Sequence, residues 1–307
     1  SHVPAEVIQE GSIVINSKLF GDIIRKLPDS FVEIETDEDN NVYINCLNSK
    51  FKIKGDSAKE YPQIPDVNED KLYSIPQDVL KSMIKQTVFA TSQDQEIENG
   101  NINLVAIDGY RFAVRSCQVD NLIHEDLKAK IIIPGKTLID VNSLLSSEEE
   151  VKVGFNEKNA IFIINDTKIV TRLLEGEFID YKKLCPREYN SKIKLKTKDL
   201  LNSIERASLL SQSEQNNLIK LSIRDSMMAI TSNNEKGNVY EEVALSLEGD
   251  YLDIAFNSRY LLEGLKNIDC EEIYIEFTTN VNPCIIKPAD GTKYTYLLLP
   301  VRISSNN

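Results

Sequence analysis

One passage of this 307-residue chain occurs three times, and it constrains the fold more than any other feature. Each copy has a polar start, an amphipathic segment with apolar residues at helical spacing, and a strand-like alternating run. The copies begin at Asn16, Pro134 and Asn257, so their starts lie 118 and 123 residues apart. This period is that of a whole domain and is too long for one unit of a solenoid. The repeat therefore predicts near-tandem domains, which usually build a symmetric object.

A second repeated segment precedes the later two copies, at residues 75–80 and 195–200, and each instance opens a further amphipathic helix. The chain thus reads as half-unit b, followed twice by half-units a and b. Two helices and several strands with short turns in each unit predict α+β domains with antiparallel sheets. We expect three domains, at residues 1–67, 68–188 and 189–307, and the first of them has only its second half.

A further gap is expected inside the second domain. After its helix, the third domain continues with a hairpin at residues 218–231. The second domain instead passes through the polar run 92–95 to an Asn-Gly turn and a single strand at 102–107. A missing internal strand would expose hydrogen-bonding groups at a sheet edge. The sequence therefore predicts that one strand is absent near residues 95–96.

Composition excludes several classes of protein. The five cysteines are scattered without a CxxC pair, which disfavours a disulfide framework or a zinc site and favours a reducing, cytosolic compartment. Only His2 and His124 are available, so histidine-based catalysis is disfavoured. Residues 135–137 read Gly-Lys-Thr, but Lys130 stands where a phosphate loop needs its first glycine. We interpret that segment as the start of a helix.

Charge is distributed unevenly over the repeat. The net charge of −13 taken alone argues against nucleic acid, yet the five predicted helices sum to +4 and the remainder to −17. These helices are expected at residues 16–28, 75–92, 134–147, 195–211 and 257–270. A single lysine on such a helix is ordinarily only solvated. Comparatively basic helices on an acidic body nevertheless suit a protein that surrounds a polyanion without adhering to it.

Four motifs carry a resemblance to a known family. They are residues 107–114 (Ile-Asp-Gly-Tyr-Arg-Phe-Ala-Val), 172–181 (Arg-Leu-Leu-Glu-Gly-Glu-Phe-Ile-Asp-Tyr), 206–210 (Arg-Ala-Ser-Leu-Leu) and 298–303 (Leu-Leu-Pro-Val-Arg-Ile). Through these motifs the chain resembles the bacterial sliding clamp, the beta subunit of DNA polymerase III, from about Val3 to Ile303. The resemblance implies a head-to-tail dimer of three-domain chains. Its six domains form a ring around duplex DNA, with two helices of each domain lining the pore.

The resemblance also implies what the chain does. A sliding clamp is a non-catalytic processivity factor without a cofactor or metal, and it works in the bacterial cytoplasm at the nucleoid. It binds DNA without reading sequence. The cations that the resemblance and the charge pattern direct toward DNA are Lys18, Arg25, Lys26, Lys81, Lys85, Lys136, Lys198, Arg206, Arg259 and Lys266.

The family has a second site, a groove between the second and third domains. It takes short linear peptides from the polymerase III alpha subunit, the clamp loader and repair proteins. The matching positions in this chain are Ile107, Gly109, Tyr110, Arg111, Phe112, Ile179, Lys183, Leu184, Asn257, Tyr260, Val281, Pro283, Leu297, Leu298, Leu299, Pro300, Val301 and Arg302. Apolar walls with a few polar groups suit such a peptide, although six apolar residues near the end of a chain fit a buried strand equally well.

The family's dimer interface falls on Phe51 and Ile53 of the first domain, which would face Leu209 and Leu210 of a second copy. Each pair also fits an ordinary core. The chain departs from the family pattern through the missing first half-unit, through the strand missing near residues 95–96, and at three groove positions. Those positions are Ile179, Lys183 and Pro283, where the family has bulkier or basic residues.

Two other functions remain open at this point. One is a repeat-built scaffold for protein interactions that has no role at DNA, which the positive sum over the helices disfavours. The other is a hydrolase that uses carboxylates such as Glu148, Glu149 and Glu150. That acidic run follows a helix and precedes a strand, which is typical of a solvated turn.

Overall fold

The computed structural model describes residues 3–61, 72–90, 92–98, 101–118, 129–146, 149–177, 180–211 and 217–302. The chain divides into two compact units, residues 1–66 and residues 67–307. Within the part described, no helix is both long and apolar enough to cross a membrane.

The first unit packs one helix against antiparallel strands. Helix α1 (Ser17–Lys26) begins after Asn16, whose side chain accepts a hydrogen bond from the backbone N–H of Leu19 at 2.9 Å. The strands are β1 (Ile13–Val14), β2 (Glu33–Thr36), β3 (Asn41–Cys46), β4 (Ser49–Lys54) and β5 (Asp56–Ser57). The order β2-β3-β4 forms one sheet and β1 pairs with β5. Ile23 of the helix is buried against Val42 and Ile44, so the alternation of β3 decides which face of the sheet the helix covers.

The second unit begins with helices α2 and α3 and the strands around them. These elements are α2 (Gln77–Thr87), α3 (Gly135–Leu144), β6 (Tyr73–Pro76), β7 (Ser92–Glu98), β8 (Asn101–Ile107), β9 (Arg111–Gln118), β10 (Ala129–Ile133), β11 (Glu150–Phe155), β12 (Asn159–Ile164) and β13 (Thr167–Arg172). One four-stranded sheet has the order β13-β12-β11-β6. Met83 and Ile84 of α2 and Val141 of α3 are buried together with Val151 of β11, so both helices share one core.

The second unit continues with a related set of elements. They are α4 (Thr197–Ser211), α5 (Ser258–Leu265), β14 (Ser191–Lys196), β15 (Leu218–Arg224), β16 (Met227–Asn234), β17 (Gly237–Ala244), β18 (Ser246–Gly249), β19 (Leu252–Asn257), β20 (Glu272–Phe277), β21 (Cys284–Pro288) and β22 (Tyr294–Leu298). A four-stranded sheet has the order β17-β16-β15-β19, with Ile204 of α4 and Leu261 of α5 in the core beside it. The predicted hairpin after α4 is confirmed as β15 and β16.

A nine-stranded antiparallel sheet joins both parts of the second unit. Its order is β10-β7-β8-β9-β22-β21-β20-β14-β18. Strands β9 and β22 meet in the middle of this sheet, although they lie far apart in the sequence, β9 in the first part of the unit and β22 near its end. We call this β9–β22 junction the seam, and the candidate groove residues gather around it.

The prediction that a strand is missing near residues 95–96 is wrong. Strand β7 covers those positions and pairs antiparallel with β8 on one side and with β10 on the other. Its sequence, Ser-Gln-Asp-Gln-Glu-Ile-Glu, lacks the apolar alternation by which a strand is recognised. The ladder hydrogen bonds come from backbone groups, which any residue other than proline can supply, so polar residues can occupy a strand held on both sides.

All five predicted helices are present, but two of them start later than expected. Residues 75 and 195 were expected to open helices, whereas Ile75 lies in β6 and Leu195 in β14. Ile75 pairs with Val151 and Leu195 pairs with Ile273, and all four side chains are buried. The apolar residues at these positions follow the period of two of a strand, and the helix begins only after the last ladder pair.

Candidate functional site

The seam brings two motifs of the sequence side by side. In the ladder between β9 and β22, Arg111 lies opposite Leu298, and Phe112 lies opposite Leu297. Side chains on a strand alternate between its faces. Phe112 and Leu297 therefore share one face of the sheet, while the side chain of Leu298 lies on the other face, in the main core beside α4 and α5.

The chain beyond β22 is also tied to the seam. The backbone N–H of Leu299 donates to the carbonyl oxygen of Tyr110 at 2.9 Å, and that of Val301 donates to Ala255 at 2.8 Å. These bonds attach Leu299 to the turn that precedes β9 and Val301 to strand β19. The two sequence motifs therefore form one continuous surface.

An apolar cluster forms the floor of this surface, and we call it the seam cluster. Its buried members are Val105, Phe112, Val114, Tyr181, Ile285 and Leu297, with Ile107 and Cys185 packed against them. The rings of Phe112 and Tyr181 meet edge to face, with their centroids 6.3 Å apart. Tyr181 and Ile285 were not expected from the sequence, although Tyr181 ends one of the motifs that carried the resemblance.

Several of the expected groove residues have large apolar side chains that stay exposed. The exposed fraction is 59% for Tyr110, 56% for Val281, 45% for Leu184 and 40% for Leu299. Among the other expected groove residues, Gly109, Lys183 and Arg302 are exposed, and Asn257, Tyr260, Pro283, Pro300 and Val301 are half-buried. Ile179 lies outside the described residues. We call these exposed apolar side chains the rim of the candidate groove and the seam cluster its floor.

The side chains of Asn257 and Lys183 also have partners inside the chain. The side chain of Asn257 accepts hydrogen bonds from the backbone N–H groups of Arg259 and Tyr260, so it caps the start of α5. The Lys183 ammonium lies 2.9 Å from the Asp180 carboxylate on the protein surface. Such an exposed pair contributes little to stability and leaves Lys183 free to exchange partners.

Arg111 is buried beneath the rim and holds the seam together. Its Nε donates to Asp108 at 3.0 Å, its Nη2 donates to the carbonyl oxygen of Phe89 at 3.0 Å, and its Nη1 lies 2.6 Å from Glu263 Oε2. The guanidinium also lies over the ring of Tyr260, 4.5 Å from its centroid. Burial acts to lower the pKa of Arg111, but the neighbouring Tyr296, Glu263 and Asp108 raise it above its ordinary value. Arg111 therefore stays charged.

Two tyrosines beside Arg111 stack on each other across the seam. The rings of Tyr110 and Tyr260 are 5.6 Å apart with an angle of 24° between their planes. Tyr110 precedes β9, whereas Tyr260 lies on α5, so the stack spans the two parts of the second unit. Neither Glu263 nor Phe89 was expected at this site, because sequence spacing carries no sign of their contact with Arg111.

The ten cations expected to face DNA divide into three groups. Five of them lie in ion pairs: Arg25 with Asp22, Lys85 with Asp269, Arg206 with Glu241, Arg259 with Glu263, and Lys266 with Glu205, at N–O separations of 2.5 to 3.2 Å. Lys81 donates to the carbonyl oxygen of Leu145 at 2.8 Å, just beyond the end of α3. Lys18, Lys26, Lys136 and Lys198 are exposed and form no ion pair with another described residue. Much of the positive charge on these helices is therefore compensated locally.

The residues expected at a dimer interface lie on strand β4 in the first unit and on helix α4 in the second. Strand β4 is an edge of the sheet in the first unit, and β17 is an edge of its sheet in the second. On β4, Ile53 packs on the core while Phe51 remains 38% exposed. Leu209, on the helix that packs against β17, is 72% exposed, and Leu210 is half-buried. The core interpretation therefore fits Ile53 but not Leu209.

Comparison with known proteins gives three family matches along the chain. The N-terminal, central and C-terminal domains of the DNA polymerase III beta subunit match residues 1–65, 74–180 and 182–302. The chain belongs to the DNA polymerase III beta subunit family. These matches confirm the predicted fold, a set of tandem α+β clamp domains. The protein is a non-catalytic processivity factor of DNA replication.

Individual relatives agree with this assignment. The beta sliding clamp of Staphylococcus epidermidis is 35% identical over 310 residues, which cover 97% of this chain and 81% of that protein. The solved DNA polymerase sliding clamp of Bacillus subtilis is 33% identical with a TM-score of 0.92, covering 97% of this chain and 82% of that one. The beta subunit from the DNA polymerase of Streptococcus pyogenes is 28% identical with a TM-score of 0.89, covering 97% and 84%.

These relatives do not favour either alternative function. A scaffold without a role at DNA would not be expected to match sliding clamps over nearly its whole length. In the acidic run proposed for a hydrolase, Glu148 lies outside the described residues, and Glu149 and Glu150 are exposed at the start of β11. Both of these carboxylates are solvated at the surface, as the turn interpretation predicts.

Proposed function

We propose that the clamp closes around duplex DNA as a ring of two chains and docks partner proteins through short linear peptides. The partners would be the polymerase III alpha subunit, the clamp loader and repair proteins. The observation that carries the docking role is the seam cluster, a buried apolar floor beneath the exposed side chains of Tyr110, Leu184 and Leu299. Apolar pockets with a few backbone polar groups suit an extended peptide segment. Because replication takes place at the nucleoid, we assign the clamp to the bacterial cytoplasm.

The ring is supported by two complementary sheet edges. An uncovered edge strand presents unpaired backbone groups that favour pairing with another strand. Strand β4 carries three lysines, Lys50, Lys52 and Lys54, whereas β17 carries Glu241 and Glu242. A head-to-tail pairing of β4 with β17 of a second copy would match these charges. It would also cover the exposed leucine on α4.

The DNA contact is supported by the helices rather than by the whole chain. Four exposed lysines without a described ion pair remain on α1, α3 and α4, while five other cations are held by neighbouring carboxylates. Few unrestrained cations imply few counterions released, and hence weak binding that depends on salt. A clamp must stay on DNA without gripping it, and this balance of charge suits that task.

We expect the clamp to be retained on a nicked circular duplex during gel filtration and to be released after the circle is linearised. A ring is held by topology, whereas an adhesive protein is held by phosphate contacts. The control is the double variant Lys136→Glu and Lys198→Glu, which should bind a short linear duplex more weakly, by about tenfold at low salt. Equal retention on circular and linear DNA, or retention on neither, would contradict the ring.

We expect the groove to bind apolar peptides selected by display against the wild-type clamp. The double variant Leu184→Asp and Leu299→Asp should weaken their binding by at least about tenfold, because it puts two carboxylates on the apolar rim. Fluorescence anisotropy measures the affinity. Leu174→Asp is the matched control, since Leu174 is comparably exposed and is not a groove residue. Unchanged affinity in the double variant would show that the peptides bind elsewhere.

A further inference from the structure

One carboxylate on α5 lies between the groove and the helix face expected to meet DNA. Glu263 Oε1 accepts a hydrogen bond from Nε of Arg259 at 2.9 Å, and its Oε2 lies 2.6 Å from Nη1 of Arg111. Burial acts to raise the pKa of Glu263, but hydrogen bonds from both arginines outweigh it and lower that pKa. Glu263 is therefore a shared anion between two cations that belong to two different candidate sites.

The two arginines differ in how much they need this carboxylate. The Arg111 side chain is 4% exposed, so its charge depends on protein partners, whereas the Arg259 side chain is 72% exposed and has water available. A buried cation that loses one of its partners is positioned less firmly. An exposed cation that loses its partner is hydrated instead and can bind another anion. Removing the charge of Glu263 should therefore loosen Arg111 and release Arg259.

A less firmly positioned Arg111 would affect the groove directly. Its guanidinium lies over the ring of Tyr260, and Tyr260 stacks on Tyr110, whose exposed ring stands at the groove rim. Asp108 fixes the same guanidinium from the turn that contains Tyr110. The position of Tyr110 is thus tied to an arginine that Glu263 helps to hold.

Release of Arg259 from Glu263 would affect the helix face that is expected to meet DNA. Arg259 lies in the first turn of α5, and Lys266 caps its C-terminal end seven residues later; both are exposed, and this spacing of about two turns puts them on one side of the helix. Each is held by a carboxylate: Lys266 lies 2.8 Å from Glu205 on α4. Glu205 therefore restrains a cation of this face as Glu263 does, and in the described part of the chain it forms no ion pair with Arg111.

We propose that Glu263 is a positioning residue shared by the two sites, which fixes Arg111 beneath the peptide groove and restrains Arg259 from DNA phosphates. This inference rests on the proposed peptide groove and DNA-facing helices. When a DNA phosphate binds Arg259, the Glu263 carboxylate contacts Arg111 alone. Contact with DNA therefore increases the affinity of the groove for peptide. By thermodynamic linkage, peptide binding strengthens the contact of Arg259 with DNA by the same factor.

The decisive experiment compares Glu263→Gln with Glu205→Gln in the full chain. Glu263→Gln should weaken binding of a display-selected peptide by about three- to tenfold and strengthen binding of a short linear duplex at low salt. Glu205→Gln should strengthen duplex binding similarly and leave peptide binding unchanged. A third variant, Arg259→Gln, should weaken duplex binding and raise peptide affinity by about two- to fivefold, because it leaves the Glu263 carboxylate to Arg111 alone. Thermal melting curves of all three variants check that they fold.

The outcomes separate the inference from the proposed function. If the wild-type clamp selects no groove peptide, the proposed groove itself fails. If the wild type binds a peptide and Glu263→Gln binds it equally well, only the role of Glu263 fails. Weaker binding of both peptide and duplex by Glu263→Gln would indicate general loss of structure and would also overturn the inference.

The linkage has its own test on the loaded clamp. Peptide affinity is measured with the clamp free and with the clamp on nicked circular DNA. The wild type should gain about two- to fivefold in peptide affinity on DNA. Arg259→Gln and Glu263→Gln should show no gain, since each lacks one half of the shared pair. A gain of the same size in the Arg259→Gln variant would overturn the linkage.

Discussion

Arg111→Ala is expected to abolish measurable peptide binding and to lower the free energy of unfolding by about 2–3 kcal/mol. The substitution removes a buried cation that contacts Asp108, Glu263 and the carbonyl oxygen of Phe89. It leaves the Asp108 carboxylate without this countercharge and Glu263 with Arg259 alone, and both carboxylates are partly exposed, which lowers the penalty. Urea unfolding followed by circular dichroism measures the stability, and anisotropy with a display-selected peptide measures the binding.

Arg115→Ala is the matched control for this prediction. Arg115 lies four residues further along β9 and donates to backbone carbonyl oxygens of Ser116 and Lys293, so it is an anchored arginine of the same strand outside the groove. Its loss should leave peptide affinity within about twofold of the wild type. A well-folded Arg111→Ala protein that binds peptide normally would contradict the role given to Arg111.

Gly264→Ala should lower the free energy of unfolding at least as much as Arg111→Ala does, although it adds only one carbon atom. A Cβ at Gly264 would lie 2.3 to 2.8 Å from three ring carbons of Tyr296. That ring has no free space, because Tyr296 is fully buried, packs on Phe89 and donates its hydroxyl to the carbonyl oxygen of Tyr260 at 2.8 Å. Overpacking of this kind costs about 1–3 kcal/mol and occasionally more, and we expect about 3 kcal/mol in calorimetry.

Gly21→Ala provides the contrast in a different helix. Gly21 lies within α1, and the nearest atom to an added Cβ is a guanidinium nitrogen of Arg25 at 3.7 Å. Alanine is favoured over glycine in a helix interior by about 1 kcal/mol, so this variant should be more stable than the wild type.

A double variant tests whether the Tyr296 ring is the obstacle to a side chain at Gly264. Gly264→Ala combined with Tyr296→Leu should be less destabilised than the sum of the two single changes, because the clash is absent. Additive losses would indicate that the ring is not the obstacle.

The fold could be predicted from the sequence where the pattern is local. The apolar spacing in residues 16–28 and 257–270 predicted helices that are present as α1 and α5. Strand β7 escaped detection because its residues are polar and its support comes from hydrogen bonds to β8 and β10. A periodicity argument reads side chains, so it cannot detect a strand that is stabilised mainly by its neighbours' backbones.

The candidate site was predictable in its members and not in their arrangement. The resemblance supplied Arg111 and Tyr260, but nothing in the sequence indicates that the guanidinium of one lies over the ring of the other. The same holds for Glu263, which is 152 positions from its partner at the seam. Long-range contacts of this kind depend on strand register, and the register of β9 against β22 is set by tertiary packing.

The seam also determines where a ring of such chains could yield to force. Strands β9 and β22 are joined through five consecutive residue pairs, and the pairing continues without interruption into the strands on either side. Parting them would break ladder hydrogen bonds and expose the buried rings of Phe112 and Tyr296 at the same time. The junction is therefore a rigid connection and not a hinge. We expect a clamp that opens to admit DNA to separate at an interface with fewer contacts.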